Sequence, residues 1–336
     1  MRKLRKYTIK TGICLLLTAL FTTACEQDVP LELLQLSPCT SHPAPIAAAS
    51  VFAFDNEAYI FAGRTAEGNY TNNLWKYTPD EDKWTLLNTP DNVAPRVSAV
   101  ACVVGDDVYL GLGYKGPLHQ EKGYLRDFWK FSPKTQQWTR LADFPANTTV
   151  KNCLFVEDGA IYALYGFYRE FTQDVYRYDI DKDVWQKVPV RVPGDRKEMI
   201  PRAMDIVGTT CQGKHFFGTG FNHTSLTFWA EWNVKQGEFV PRNNILGSGR
   251  NATACCATND YIYLAGGRHY GDTLTTGFFY NTMQKYSPID NQWQYVGSLP
   301  YQAENLLMVT LNERIYVGLG ETPEGQIRNN WYRIEE

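Results

Sequence analysis

The chain has 336 residues, of which 14% are aromatic and 21% are charged, and its formal net charge is −3. This ordinary globular composition excludes collagen-like, low-complexity and intrinsically disordered chains. The length alone would allow two domains, but the internal repeats favour one closed domain.

Residues 1–24 have the features of a bacterial secretory signal. A basic segment containing five cations is followed by a short apolar core from Thr11 to Phe21. This core is too short for a transmembrane helix. The next residue, Cys25, stands where a bacterial lipobox has its lipidated cysteine, so we expect lipidation there. Thr22 and Ala24 would also suit ordinary signal peptidase cleavage.

We therefore expect residues 25–30 to be a lipidated tether on an outer-membrane lipoprotein of the bacterial cell envelope. The acidic stretch Glu26-Gln27-Asp28 resembles the surface-export signal of Bacteroidetes lipoproteins and suggests surface exposure. The mature chain keeps 28 Lys and Arg against 36 Asp and Glu, a formal net charge of −8. Such an acidic protein is a poor general binder of nucleic acid, so we expect no nucleic-acid partner.

From residue 31 onward, an aromatic residue is followed four positions later by glycine in each of six segments. These pairs are Tyr59 and Gly63, Tyr109 and Gly113, Tyr162 and Gly166, Phe216 and Gly220, Tyr263 and Gly267, and Tyr316 and Gly320. The intervals between successive aromatics are 50, 53, 54, 47 and 53 residues. Periods of this length are typical of repeat architectures such as propellers.

A second pattern marks the same segments, since an aromatic residue lies seven positions before Trp or Phe. The pairs are Tyr77 and Trp84, Phe131 and Trp138, Tyr178 and Trp185, Trp232 and Phe239, and Tyr286 and Trp293. Aromatic and β-branched residues, punctuated by Gly, Asp, Asn and Pro, predict four strands in each repeat.

The two ends of the chain complement each other. The segment 329–334 aligns with 72–77, a predicted third strand, and the chain ends before a fourth. The segment 32–36 aligns with the fourth strand 83–87, so we expect it to complete the last repeat. Residues 31–336 are thus predicted to form a closed ring, which leaves few open sheet edges.

These motifs resemble the kelch repeat family. The resemblance covers residues 31–336 and implies an all-β fold, a six-bladed kelch-type β-propeller. One feature departs from the family pattern, because its typical Gly-Gly pair is present only as Gly266-Gly267. The first position is otherwise Ala62, Leu112, Tyr165, Thr219 or Leu319.

The connections between the second and third strands are long, and we call the side where they lie the long-loop face. They span residues 64–73, 114–127, 167–174, 221–228, 268–282 and 321–330. The turns at the opposite end of the blades, on the short-turn face, have two or three residues. Because variable loops on a rigid scaffold often carry function, we expect a ligand site on the long-loop face.

Polar residues recur beside these loops and at the starts of the predicted first strands. The candidate ligand-binding residues are Arg64, Arg96, Lys115, Arg169, Arg202, His223, Arg250, Arg268, His269 and Glu321. The planar donor fork of Arg suits carboxylates and sugar hydroxyls. The alternative is structural pairing between blades, which the pairs Pro95-Arg96 and Pro201-Arg202 fit.

The mature chain has six cysteines besides Cys25, which would permit disulfides in an exported protein. Because four of them lie in or beside predicted first strands, we favour buried free thiols. No CxxC motif and no paired-histidine spacing is present, so we expect neither a metal nor another cofactor.

No catalytic motif is recognisable, so we expect a binding module for carbohydrate or for a protein partner of the cell envelope. Two enzyme groups with kelch propellers provide comparisons. Galactose oxidase chemistry needs copper ligands and flanking domains, for which this chain has no room. An N-acetylneuraminate epimerase type of sugar mutarotase is the alternative function, with Glu321 or Glu304 beside an arginine as its acid/base group. A scaffold subunit without a small ligand is a third reading.

Overall fold

Six antiparallel sheets, which we call blades 1 to 6, form a ring within the part of the chain that the structure describes. This computed structural model describes residues 31–116, 120–147, 149–150, 152–194, 196–271 and 277–335. The first strands of consecutive blades contact each other, and that of blade 6 contacts that of blade 1. The predicted six-bladed all-β propeller is therefore confirmed. The predicted signal peptide, Cys25 and the tether lie outside the described residues.

Each blade contains four strands, numbered outward from the central axis. Blade 1 comprises Ser50–Phe54, Glu57–Thr65, Tyr70–Thr78 and Lys83–Leu87; blade 2 comprises Val100–Val104, Asp107–Gly111, Phe128–Ser132 and Gln137–Leu141; blade 3 comprises Cys153–Glu157, Ala160–Leu164, Val175–Asp179 and Val184–Val188. Blade 4 comprises Val207–Cys211, Lys214–Gly218, Trp229–Asn233 and Glu238–Arg242; blade 5 comprises Ala254–Ala257, Ile262–Ala265, Thr282–Ser287 and Gln292–Ser298; blade 6 comprises Leu307–Leu311, Arg314–Gly318, Trp331–Ile334 and Leu36–Cys39.

Short elements decorate the long-loop face and the links between blades. Hairpins form from Phe167–Tyr168 with Glu170–Phe171, Phe221–Asn222 with Thr224–Ser225, and Arg268–Tyr270 with Gly277–Phe279, and Ile46–Ala47 pairs with the second strand of blade 1. Single 3-10 turns span Pro79–Glu81, Glu121–Gly123 and Lys197–Met199. The predicted loop 64–73 is mostly strand, because the inner strands of blade 1 extend to Thr65 and from Tyr70.

The repeated glycine is required by its close approach to the segment that leads into the first strand of its own blade, and its N–H also bonds to the next blade. At Gly113, φ is +82°, and an added Cβ would lie 2.4 Å from the carbonyl oxygen of Val97. The Gly113 N–H donates to the carbonyl of Thr149 at the start of the next blade, at 2.7 Å. The residue before each repeated glycine also has a left-handed φ, between +55° and +64°. The backbone of a Gly-Gly pair is thus kept even where the first glycine is replaced.

The core is divided among the interfaces between blades. Each neighbouring pair of blades buries its own cluster of apolar side chains. The repeated fourth-strand Trp closes these interfaces with a hydrogen bond: Trp84 Nε1 donates to the Thr40 carbonyl at 2.9 Å and Trp185 Nε1 to the Ala142 carbonyl at 3.2 Å. In each case the acceptor directly follows the fourth strand of the preceding blade. The aromatic spacing seen in the sequence therefore reports contacts between blades.

The ring closes as expected, but the register of the closing strand differs from the prediction. Leu36–Cys39 pairs with Trp331–Ile334, so Leu36 rather than Leu33 takes the position equivalent to Trp84. Thr40 fixes this register, because its N–H and hydroxyl both donate to the Asp82 carboxylate, at 2.8 and 3.0 Å. Upstream, Leu33 instead forms a parallel bridge to Ser298 of blade 5. The predicted strand 32–36 was thus displaced by three residues.

Candidate functional site

The central channel opens on the long-loop face through a narrow ring of backbone. Equivalent residues lie two positions before each first strand, and five of them have φ between +51° and +60°: Ala48, Ser98, Asp205, Ala252 and Asn305. The ring is joined between blades, since the Ser98 N–H donates to Ala48 O at 2.9 Å. These residues surround a hollow of about 170 Å³. Their counterpart in blade 3, Lys151, lies outside the described residues.

Asp205 is a residue of this ring that the sequence analysis missed. Its carboxylate is largely buried and accepts hydrogen bonds from Asn251 Nδ2, at 3.1 Å, and from the Ala252 N–H, at 2.8 Å. The carboxylate thereby takes the place of a backbone carbonyl between blades 4 and 5. Alignment with Ser98 and Asn305 was the available signal, because all three precede a first strand by two residues.

Further down, the channel widens towards the short-turn face to a cavity of about 520 Å³. Its wall combines aliphatic residues with Cys102, Cys255, Thr209 and Thr310. The six cysteines from Cys39 onward are free thiols in the structure, of which Cys153, Cys211 and Cys256 are buried and the other three are partly buried. Burial raises the pKa of Cys153 and of Cys256 to about 12, so these thiols are poor nucleophiles. The wider end of the channel is thus opposite the face on which we expected the site.

Two predicted ligand-binding residues, Arg96 and Arg250, are instead structural. Their exposed fractions are 0% and 1%. Arg96 Nη1 donates to Asp127 Oδ1 at 2.9 Å and to the Leu112 carbonyl at 3.0 Å. Burial alone would raise the pKa of Asp127, but hydrogen bonding and charge from Arg96 outweigh it and lower that pKa. The expectation that Arg96 reaches the mouth is therefore wrong.

Arg250 occupies the equivalent position in blade 5, where Thr282 replaces Asp127. Its guanidinium donates to Thr282 Oγ1 and to the Gly266 carbonyl, both at 3.1 Å, and lies 4.0 Å from the centre of the Tyr280 ring. Burial lowers the pKa of Arg250 to about 10. Like Arg96, it braces the second and third strands of its own blade and does not line the mouth.

The structure brings Arg64 and Glu321 together at the junction of blades 6 and 1. The Arg64 guanidinium donates to the Glu321 carboxylate. Their side chains are 33% and 20% exposed, so both remain accessible from the long-loop face. The pair offers a cation and a carboxylate side by side.

The hairpins of blades 3, 4 and 5 carry a continuous row of aromatic side chains, which we call the aromatic rim: Phe171, Phe221 and Tyr270. The Phe171 and Phe221 ring centres are 6.1 Å apart, and those of Phe221 and Tyr270 are 5.4 Å apart. The predicted residue His223 is exposed at the same place, with its ring centre 5.2 Å from that of Phe171. The rim thus crosses three blades.

Other predicted cations flank the aromatic rim. Arg268 stacks on two rings, 4.2 Å from the centre of Tyr270 and 4.9 Å from that of Phe279. The neighbouring His269 donates from Nδ1 to the Gly249 carbonyl at 2.8 Å. Arg169 is exposed at the tip of the blade 3 hairpin and lies 5.0 Å from the Tyr168 ring centre.

The remaining two predicted residues, Lys115 and Arg202, are exposed and are not members of the rim. Lys115 lies in the blade 2 connection, where its N–H donates to the Gly123 carbonyl at 2.8 Å. Arg202 lines a hollow on the outer side of blade 3, whose wall also includes Phe171 of the rim. The predicted set therefore divides between the rim, the blade interiors and the periphery, and does not converge on one point.

The residues that the structure describes contain no cluster of three or more His, Cys, Asp or Glu side chains arranged to hold a metal ion. Nor does any helix in them have the length and apolarity that a membrane crossing would need.

Comparison with known protein families finds kelch repeats along most of the chain. Residues 28–220 match the KLHDC2/KLHL20/DRC7 Kelch-repeats domain, and residues 249–300 match the Kelch motif. The solved structure of YjhT superposes with a TM-score of 0.72 at 15% identity, covering 88% of this chain and 97% of that one. At this identity the superposition shows a shared fold and no more.

Among curated proteins, the chain is similar to Kelch-like protein terF of Aspergillus terreus, with 34% identity over 110 residues, 31% of this chain and 24% of that protein. It is also similar to N-acetylneuraminate epimerase 1 of Escherichia coli O6:H1, 24% identical over 70% of this chain and 56% of the relative. An N-acetylneuraminate epimerase of Haemophilus influenzae is 24% identical over 70% of this chain and 59% of its own length. The chain thus spans less than two thirds of the curated relatives it matches.

Proposed function

Because the chain belongs to the kelch-repeat β-propeller family, we propose that it is a binding module that holds a carbohydrate on its long-loop face. The observation that carries this proposal is the aromatic rim, in which the partly exposed rings of Phe171 and Tyr270 both pack on the largely buried Phe221 across three blades. Aromatic faces provide rigid apolar surface for the C–H faces of sugar rings, and adjacent polar groups fix orientation. His223 and Arg268 supply such groups here.

The size of the hollow at the mouth favours binding on the rim over binding in that hollow. Small-molecule sites usually enclose about 300–1,000 Å³, whereas the hollow at the channel mouth measures about 170 Å³. Asp205 at its edge is held by Asn251 and the Ala252 backbone. The wider cavity of about 520 Å³ lies nearer the short-turn face, so a sugar that approaches the long-loop face meets the hairpins first.

The proposed setting is the bacterial cell envelope, with Cys25 as a lipid anchor in the outer membrane. This part of the proposal rests on the sequence of residues 1–28, which has the pattern of a lipoprotein signal. Mass spectrometry of the membrane fraction tests it, since lipidation would give a diacylated or triacylated N-terminal peptide beginning at Cys25. An unmodified N-terminus in a soluble fraction would contradict it.

A thermal-shift screen with neutral and acidic oligosaccharides tests carbohydrate binding. A ligand present at 100 times its dissociation constant stabilises the native state by about 2.7 kcal/mol, which corresponds to a shift of several degrees. We expect Tyr270→Ala to abolish the shift and Tyr261→Ala, which removes a tyrosine of blade 5 from the short-turn face, to retain it. No shift with any saccharide would contradict carbohydrate binding and favour a protein partner, which affinity capture from the envelope would identify.

A second candidate is a sugar mutarotase, which the similarity to N-acetylneuraminate epimerases over 70% of the chain favours. In that reaction Glu321 would transfer the proton and Arg64, its ion-pair partner, would bind the sugar carboxylate. NMR of N-acetylneuraminate anomer exchange tests this candidate. Acceleration by the protein that Glu321→Gln abolishes would support it, and an unchanged exchange rate would eliminate it.

A further inference from the structure

A second concave site adjoins the aromatic rim on the outer side of blade 3, and we call it the notch. It is bounded by residues 170–175, residues 187–190 and Arg202, and its volume is about 470 Å³. This volume lies within the range of about 300–1,000 Å³ that is usual for small-molecule sites. The notch therefore has room for a ring-sized ligand group.

Phe171 belongs to both the rim and the notch. On the rim side its ring centre lies 5.3 Å from that of Phe167 and 6.1 Å from that of Phe221. It also forms part of the wall of the notch. A ligand stacked on the rim at this point therefore has a direct path into the notch, with no blade in between.

The notch combines an apolar wall with polar groups of both signs. Val188 and Pro189 supply apolar surface, and Lys187 pairs with Asp174 at 2.8 Å. That hydrogen bond raises the pKa of Lys187, so its ammonium stays charged at neutral pH. Glu170 and Arg202 are exposed at the margin, so the lining carries two carboxylates and two cations. Balanced charges beside an aromatic face suit hydroxyl groups, which both donate and accept hydrogen bonds, better than a charged ligand.

One wall of the notch is fixed before any ligand arrives. The Gln173 side-chain amide donates to the Ile200 carbonyl, and the Ala203 N–H donates to the Thr172 carbonyl at 3.2 Å. These bonds tie the blade 3 connection to the link that leads into blade 4. A wall held in place loses less conformational entropy on binding, which favours affinity.

We infer that the notch is a second sugar subsite, and that the ligand is an uncharged oligosaccharide which spans from the aromatic rim over Phe171 into the notch. This inference rests on the proposed carbohydrate binding at the rim and adds the class and the minimum length of the ligand. A monosaccharide would occupy the rim alone. Two or more linked units would occupy both places, and the second subsite would act at high effective concentration.

Isothermal titration calorimetry with a series of neutral oligosaccharides of one to six units tests the inference. We expect affinity to rise at least tenfold between the monosaccharide and the length that reaches the notch, and then to level off. In Arg202→Gln this gain should fall severalfold, while the affinity for the monosaccharide stays unchanged. Arg191→Gln is the matched control, because it also removes one exposed cation near blade 3 but lies outside the notch.

The outcomes distinguish binding in the notch from binding on the rim. Equal affinity at every length, or an Arg202→Gln effect that is absent or equal at every length, would overturn the notch subsite and leave rim binding intact. Failure of every saccharide to bind wild-type protein would overturn both proposals. Unchanged melting temperatures of the two variants would show that the affinities report on the site and not on folding.

Discussion

A buried histidine has a large influence on how this propeller should respond to acid. His42 has no exposed surface and contacts the rings of Trp75 and Trp84, with centres 5.3 and 4.7 Å away. Burial lowers its pKa from 6.5 to about 4. The unfolded chain therefore binds a proton more readily than the folded chain does between these values.

Stability should accordingly fall as the pH drops from about 6.5 towards 4, and His42 should account for roughly 3 kcal/mol of this loss. We expect His42→Phe, which cannot be protonated, to remove that part of the pH dependence. Urea unfolding at a series of pH values measures it. An equal slope for wild type and variant in this range would show that His42 is solvated in the native state.

Two glycines allow the effect of crowding around the repeated glycine to be separated from the effect of its left-handed φ. Gly113 and Gly68 both have φ of +82°, but an added Cβ meets the Val97 carbonyl at 2.4 Å in the first case and open space in the second. We expect Gly68→Ala to cost about 1–2 kcal/mol, the strain of a left-handed residue. Gly113→Ala should cost at least ~2 kcal/mol more, because backbone must move. Equal losses in chemical denaturation would contradict this account of the repeated glycine.

Individual side chains were the least predictable level. Arg96 and Arg250 stand at equivalent repeat positions, which identified them as a related pair, yet nothing in their spacing showed that both point into a blade. The partner of Arg96 is Asp127, 31 residues away. Such pairings depend on the three-dimensional path of a loop, and no periodic spacing in a single sequence reveals them. The ion pair between Arg64 and Glu321, which are 257 residues apart, could not be predicted for the same reason.

At the scale of elements, periodic signals predicted the strands well. The aromatic spacing located every blade, because each of these aromatics packs between two neighbouring blades and the six interfaces are built in the same way. The closing strand was misplaced by three residues, because Leu33, Leu34 and Leu36 all fit an apolar strand position. What selects Leu36 is the anchoring of Thr40 by Asp82 and Trp84, a contact between residues more than 40 positions apart.

Asp82 should therefore stabilise the closure in a pH-dependent manner. Burial alone would raise its pKa, but hydrogen bonds from Tyr77 and Thr40 outweigh burial and lower it. A carboxyl group with a lowered folded pKa stabilises fully above its unfolded value of about 3.9, and this stabilisation is lost as the pH falls through the folded value.

We expect Asp82→Asn to be less stable than wild type at pH 7 by about 1–3 kcal/mol, since hydrogen bonds to a charged group are lost. The two stability curves should converge below pH 4. Asp80→Asn is the control, as it changes an exposed carboxylate of the same turn. A difference that persists unchanged to pH 2 would show that geometry, not charge, holds Thr40.

For the whole molecule, ring symmetry made the fold predictable and the site less so. Six equivalent positions around one axis must converge at the channel mouth, so the mouth could be located from the repeat alone. Its narrowness could not, because it depends on the left-handed turns of residues such as Ser98 and Asn305. The aromatic rim arises from three hairpins that interrupt the symmetry, and their contacts follow no repeat pattern.

Closure of the ring predicts how the propeller fails when its last strand is removed. A chain that begins at Thr40 lacks Leu36–Cys39, which leaves the edge of Trp331–Ile334 unpaired and uncovers the blade 5–6 cluster that Leu34 and Leu36 help to cover. Unpaired edges invite association with other chains. We expect this truncation to lower the melting temperature by several degrees and to form concentration-dependent oligomers in light scattering. A chain that begins at Leu31 keeps the strand and should remain monodisperse, because its edge stays paired. If both chains melted together as monomers, contacts between the first strands of blades 6 and 1 would be sufficient to close the ring.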